Sequence, residues 1–138
     1  MKVVAAVLLV ALAGLSAQQD PDDQARIQKI KKYREECIAE TQVDPVLIDR
    51  ADNGDFTDDP KLKCFSKCFY QKAGFVAENG DLLLDVIKAK IPKETDREKA
   101  LGIIDKCKDL KGADSCETVY LVHKCYFERS YLDKKEQN

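Results

Sequence analysis

Apolar residues recur along most of this chain at helical spacing, with turn-forming residues between the runs. The first such run is Ile27, Ile30, Tyr33, Cys37 and Ile38, separated by three, four or one. Asp22 and Asp23 stand before it, where negative charge suits a helix start. A second, short helix is predicted after Pro45, carrying Val46, Leu47 and Ile48 and ending at Asn53-Gly54. Phe56 to Pro60 reads as a connector. A third helix runs from about Lys61 to Ala73 and stops at Gly74. Asn79-Gly80 marks a tight turn.

The next segment, Leu82 to Ile87, is apolar nearly all round. A helix of that kind is buried or turns a face to a greasy space. Pro92 ends it. Thr95-Asp96-Arg97-Glu98 reads as a capping box with Thr95 as N-cap. The fifth helix then reaches about Leu110 and stops near Gly112. Asp114 or Ser115 caps a sixth, to about Ser130, and the polar tail from Leu132 to Asn138 is expected to fray. No stretch alternates with period two, so the expected fold class is all-α: a compact bundle of about six helices.

The N-terminus changes the setting. Lys2 precedes an apolar run from Val3 to Leu15, with small residues at Ser16 and Ala17. That is the build of a signal peptide, too short to span a bilayer comfortably, with no basic stop behind it. The expected organisation is a signal peptide over residues 1–17 and one helical domain over 18–138. Cleavage after Ser16 or after Ala17 fits. The mature chain of about 120 residues is one domain's worth. The whole chain carries 23 Lys+Arg against 25 Asp+Glu. With no basic stripe, nucleic acid is not expected as a partner.

Secretion supplies the oxidising compartment in which disulfides persist. Six cysteines, Cys37, Cys64, Cys68, Cys107, Cys116 and Cys125, follow the pattern C-x26-C-x3-C-x38-C-x8-C-x8-C. Their even number behind a signal peptide reads as a disulfide framework. Zinc is not expected, because Cys64-x3-Cys68 lacks further ligands at metal spacing and His123 is the single histidine. Cys64 and Cys68 lie one turn apart on one helix face, a poor geometry for bonding each other. Cys116 and Cys125 lie about 13.5 Å apart along one helix and about half a turn around it, so they cannot pair either. Ten of the fifteen pairings remain open. The last helix must nevertheless be tied to two neighbours, one on each side.

The cysteine spacing resembles that of the insect odorant-binding and pheromone-binding proteins, in the x3 and final x8 gaps above all. The likeness covers the whole mature chain and extends to the stretches Lys61 to Tyr70 (KLKCFSKCFY) and Gly74 to Gly80 (GFVAENG). The full count of six looks like the family's standard branch. The resemblance implies the pairing Cys37–Cys68, Cys64–Cys116 and Cys107–Cys125. It also implies an internal apolar pocket, reversible carriage of small hydrophobic ligands through aqueous fluid toward a chemosensory receptor, and a monomer or weak homodimer. No cofactor, catalysis or stable membrane insertion is implied.

Physical magnitudes agree with such a carrier. Keeping even about 300 Å³ open costs on the order of 7 kcal/mol. Three disulfides closing loops of this length stabilise by roughly 3–4 kcal/mol each, enough to hold that space. Burying a chain of about ten carbons gains roughly 8 kcal/mol, which corresponds to micromolar affinity before ordering costs. Fatty acids, long-chain alcohols, aldehydes, esters and aromatic volatiles fit.

The candidate pocket residues are Leu62, Phe65, Ser66 and Phe69 on the third helix, Leu83 and Ile87 on the fourth, and Val119, Val122, His123 and Tyr126 on the sixth, with Tyr33 on the first. Each apolar member also fits ordinary core. Tyr33, Ser66, His123 and Tyr126 are the polar groups able to hold an alcohol or carboxylate head. His123, if it faces the cavity, would make binding sensitive to pH between 5 and 8. The run Asp133-Lys-Lys-Glu-Gln-Asn is too polar to fill an apolar pocket, which argues against insertion of the tail.

An enzyme is not expected: the sequence has no serine elbow and no glycine-rich calcium loop, and Lys124 rather than a catalytic partner follows His123. A secreted helical signalling protein acting through its surface is the rival reading, and a carrier of lipids or taste compounds outside olfaction is the nearer alternative.

Overall fold

The computed structural model describes residues 20–136; the signal-peptide segment lies outside them. Six helices occur among the described residues: α1 (Pro21–Thr41), α2 (Pro45–Asp52), α3 (Pro60–Lys72), α4 (Leu84–Ala89), α5 (Arg97–Cys107) and α6 (Ser115–Glu136). The chain divides into two units within α1, the first ending at Lys32 and the second beginning at Tyr33. In the first unit the Asp20 carboxylate accepts a hydrogen bond from the Asp22 amide at 3.1 Å, and Arg26 pairs with Asp23. The disulfides, the core and the cavities belong to the second unit.

Aspartates open four of the helices there, each for the same reason. A carboxylate oxygen takes one of the amide hydrogens that a helix start leaves unbonded. Asp44 accepts from Val46, Asp59 from Leu62 at 2.9 Å, Asp96 from Lys99 at 3.3 Å, and Asp114 from Glu117 at 2.8 Å. Pro45 and Pro60 follow two of these caps as first helical residues, where a missing N–H costs nothing.

Four boundaries differ from expectation, one of them the end of α5, which stops at Cys107 rather than near Leu110. Asp96, not Thr95, caps α5. The Thr95 amide is already spent on the Pro92 carbonyl at 3.1 Å, which puts Thr95 in the preceding turn. The fourth helix starts at Leu84 rather than Leu82, because Leu82 forms a β-bridge with Val76 and the Leu83 amide donates to the Phe75 carbonyl. None of its six residues is buried. The sixth helix passes Ser130 and reaches Glu136, with Lys134 and Lys135 in its last turn, where positive charge suits the helix dipole. Lys135 also lies over the Tyr131 ring, 5.2 Å from its centre.

All three disulfides join the expected partners: Cys37 with Cys68 (α1 to α3), Cys64 with Cys116 (α3 to α6) and Cys107 with Cys125 (α5 to α6). The last helix is thus bound on opposite sides to two neighbours. The main core gathers Cys37, Val43, Ile48, Leu62, Phe65, Cys68 and Tyr120, with Phe56, Phe69 and Leu121 packed against it. The Tyr120 hydroxyl donates to the Thr57 carbonyl at 2.9 Å, so its polar end is satisfied. Lys63 binds Asp58 at 2.6 Å and Glu117 at 2.8 Å, fastening the starts of α3 and α6 to each other. Gly80, at φ +93°, turns the loop against α6 so closely that a Cβ there would sit 2.5 Å from that of Ser115. Only glycine fits both that backbone and that distance.

Candidate functional site

The candidate residues fall into two groups. Leu62, Phe65 and Ser66 on α3 and Val119 and Val122 on α6 are buried in the central packing, Val119 and Val122 with no exposure at all. The Ser66 hydroxyl donates to the Leu62 carbonyl one turn back, at 3.3 Å. Tyr33 and Phe65 flank Phe69, with ring centres 6.2 and 6.1 Å from it. Leu83 is exposed at 38%. Ile87, His123 and Tyr126, by contrast, line open space.

A cavity of about 580 Å³ lies between α4, α5 and the C-terminal half of α6. Its apolar surface comes from Ile87, Ala100, Ile103, Ile104 and the Tyr126 ring. Helix geometry explains the set: Ile103 and Ile104 follow Ala100 by three and four residues, so α5 turns a single greasy face inward. On α6, Tyr126, Ser130 and Lys134 are each one turn apart. The rim is polar, with Glu94, Thr95 and Asp96 from the connector, Lys99 from α5 and Lys134 from α6. Cys107–Cys125 ties the two walls together beside Ile104 and Tyr126.

A second cavity, about 370 Å³, shares Tyr126, Ser130 and Lys134 with the first and adds Tyr70, His123, Phe127 and Tyr131. The Tyr70 hydroxyl and His123 Nδ1 are 2.8 Å apart. Burial holds His123 below its ordinary value, against a weaker opposing pull from Asp52, and burial pushes the Tyr70 phenol well up, with Tyr126 adding to the effect. A neutral imidazole and a protonated phenol follow, so Tyr70 donates to Nδ1. Phe56 and Tyr70 both meet the imidazole edge to face, at 6.0 and 5.5 Å. The Tyr126 hydroxyl oxygen is buried and has no hydrogen-bond partner among the described residues. Burial raises its phenol too, so it keeps its proton.

Sequence reasoning missed Tyr70, Ala100, Ile103, Ile104, Ser130 and Lys134. The α5 stripe was visible as periodicity but carried no polar group to single it out. Ending α6 at Ser130 hid the one-turn series that reaches Lys134. Among the described residues, no group of three or more His, Cys, Asp or Glu could hold a metal ion, and no helix is long and apolar enough to cross a membrane.

The sequence and the fold both have counterparts among known proteins. Among curated proteins, the B2 protein of Tenebrio molitor is 31% identical over 120 residues, covering 86% of this chain and 88% of that one. Odorant-binding protein 10 of Aedes aegypti is 30% identical over 107 residues, 76% of each. Among solved structures, the fatty acid binding protein OBP56a from the oral disk of the blowfly Phormia regina superposes with a TM-score of 0.65 at 27% identity, over 83% of this chain and 97% of that one. Odorant Binding Protein 7 from Anopheles gambiae, with four disulfide bridges and in complex with an azo compound, gives 0.65 at 28% identity, over 80% and 88%. The family model described as PBP/GOBP matches residues 19–129, and the chain belongs to that family of insect odorant-binding proteins.

Proposed function

We propose that this protein is a secreted carrier that takes up small hydrophobic molecules in the α5–α6 cleft and releases them unchanged. The cleft itself carries the reading: about 580 Å³ with an apolar floor and a charged rim. That volume lies within the usual range of small-molecule sites. Apolar walls favour a hydrocarbon body, and the rim keeps the mouth wetted. At about 0.8 kcal/mol per buried CH₂, a ten-carbon chain reaches micromolar affinity before ordering costs, weak enough for release. Three disulfides call for an oxidising compartment, in keeping with the N-terminal apolar run and with export.

The named ligands of the relatives support this class of cargo, a fatty acid in the blowfly protein and an azo compound in the mosquito one. Delivery toward a chemosensory receptor is the role we assign. The blowfly protein's origin in an oral disk favours a second setting, carriage of lipids or taste compounds. A lipophilic fluorescent probe tests the central reading. Saturable binding, competed by ten- to sixteen-carbon alcohols or acids and weakened by Ile103→Ala, is expected. Failure of the folded, fully oxidised protein to bind the probe and these competitors would overturn it.

A further inference from the structure

Resting on the carrier reading, we infer that Tyr126 anchors the ligand's polar end, and that the preferred cargo carries a neutral oxygen head, an alcohol or a carbonyl, rather than a carboxylate. Of the four head-group candidates offered by the sequence the structure removes three, and Ser130, which also lines both cavities, is exposed to water. The Ser66 hydroxyl is committed to the Leu62 carbonyl. The His123 Nδ1 is committed to Tyr70. Tyr33 packs edge-on against Phe69, away from either cavity lining. Tyr126 alone of the four lines both cavities, and its buried hydroxyl has no partner among the described residues.

An unmatched buried hydroxyl is costly, and a ligand acceptor would remove that cost. The Tyr126 side chain lines both the apolar cleft and the aromatic chamber, so a chain along α5 would reach it. Its surroundings choose between head groups. Tyr70 and His123 face it without charge. The two lysines that line the cleft, Lys99 and Lys134, belong to the rim, where Glu94 and Asp96 oppose them. A carboxylate bonded to the buried Tyr126 hydroxyl would lose its water while Lys134, the lysine that lines both cavities, stays exposed, which disfavours the charged head. A ketone or alcohol pairs one donor with one acceptor and brings no charge inside.

The test compares 1-dodecanol, 2-dodecanone and dodecanoate on the oxidised full chain and on Tyr126→Phe, by probe displacement. Wild type is expected to bind the alcohol and the ketone more tightly than the acid. In Tyr126→Phe the two neutral ligands weaken about five- to tenfold, the scale of one hydrogen bond, while dodecanoate changes little. Thermal stability of Tyr126→Phe should equal or exceed wild type, because the deleted hydroxyl had no protein partner; a lowered melting point would mean that it serves the fold instead. Ile103→Ala should weaken all three ligands alike. If wild type binds the ligands and Tyr126→Phe matches it, or if dodecanoate suffers the larger loss, the anchor assignment falls alone. If wild type binds none of the three, the carrier reading falls and takes this inference with it.

Discussion

The two halves of α6 meet opposite fates. Its N-terminal half holds the buried Val119, Tyr120 and Val122, with Tyr120 in the core that includes Leu62 and Phe65 of α3. Its C-terminal half, from Tyr126 to Lys134, borders two cavities. One helix thus serves as core at one end and as wall at the other. The partners make the difference. On the solid side α3 supplies Leu62 and Phe65, large side chains that fill the space between helices. On the hollow side α5 supplies Ala100 at a wall position, and the six-residue α4 buries none of its residues. Each side has its own disulfide across the seam. On the solid side Cys64–Cys116 reinforces packing that already exists, whereas Cys107–Cys125 holds together walls that touch less.

Removing each bridge should separate these roles most strongly. The Cys64–Cys116 bridge spans 52 residues and Cys107–Cys125 spans 18. In the chain-entropy picture their loss, as paired Cys→Ala variants, costs about 4 and about 3 kcal/mol. Denaturant titration reads that order. Probe affinity should read the reverse order, with the Cys107/Cys125 variant losing more. Affinity loss that simply tracks stability in both variants would break the comparison.

Side-chain truncation comes next. Leu62→Ala, at a site 2% exposed, should cost about 3 kcal/mol and leave probe affinity near wild type. Ile103→Ala, on a half-buried wall already facing open space, should cost only about 1 kcal/mol yet weaken binding. Chemical denaturation and fluorescence titration on the same samples decide it.

The helix caps give a finer version of the same contrast. Asp59→Ala removes a 2.9 Å cap from α3 and should cost about 1 kcal/mol without touching affinity. Asp96→Ala removes a longer, 3.3 Å cap from α5 at the cleft rim, so the stability loss should be smaller, about 0.5 kcal/mol, but affinity should fall.

The smallest effect is titration of His123. Its folded value lies below the ordinary 6.5, chiefly through burial. The unfolded chain therefore takes up a proton first as pH falls, and stability declines from about pH 6.5 down to the lower folded value, then levels off. Melting temperature followed from pH 7 to pH 5 should show this slope, and His123→Gln, which keeps an acceptor for Tyr70, should flatten it. Asp58 and Glu117, held low mainly by their hydrogen bonds to Lys63, act in a separate window. Their contribution is lost only as pH falls below 3.8 and 4.5, their ordinary values, toward the depressed folded ones.

Much of this was legible along the chain. Local signals act over a few residues and survive any tertiary context: the prolines at Pro45 and Pro60, the glycine turns at Gly54, Gly74 and Gly80, and the half-turn offset of Cys116 from Cys125. They determined the helices and the demand that α6 be tied on two sides. Where a turn or bridge just before a helix competed, local reading slipped. Leu82 left its helix to bridge Val76, and Thr95 gave its amide to Pro92 and lost the cap to Asp96.

The site shows the deeper division. An apolar residue at helical spacing looks the same whether a neighbour fills the space before it or leaves it open. Val122 and Ile103 are alike by periodicity, and only the helix opposite each makes one core and the other wall. The four polar candidates were likewise equal until hydrogen bonding sorted them, spending Ser66 on Leu62 and His123 on Tyr70 and leaving the Tyr126 hydroxyl unmatched. Sequence by itself determined the helices and the family to which the cysteine spacing belongs, because these follow from covalent order and short-range geometry. Tertiary structure alone decided where the interior is hollow and which hydroxyl is left unmatched beside it, because empty space is a property of two surfaces meeting and belongs to neither segment alone.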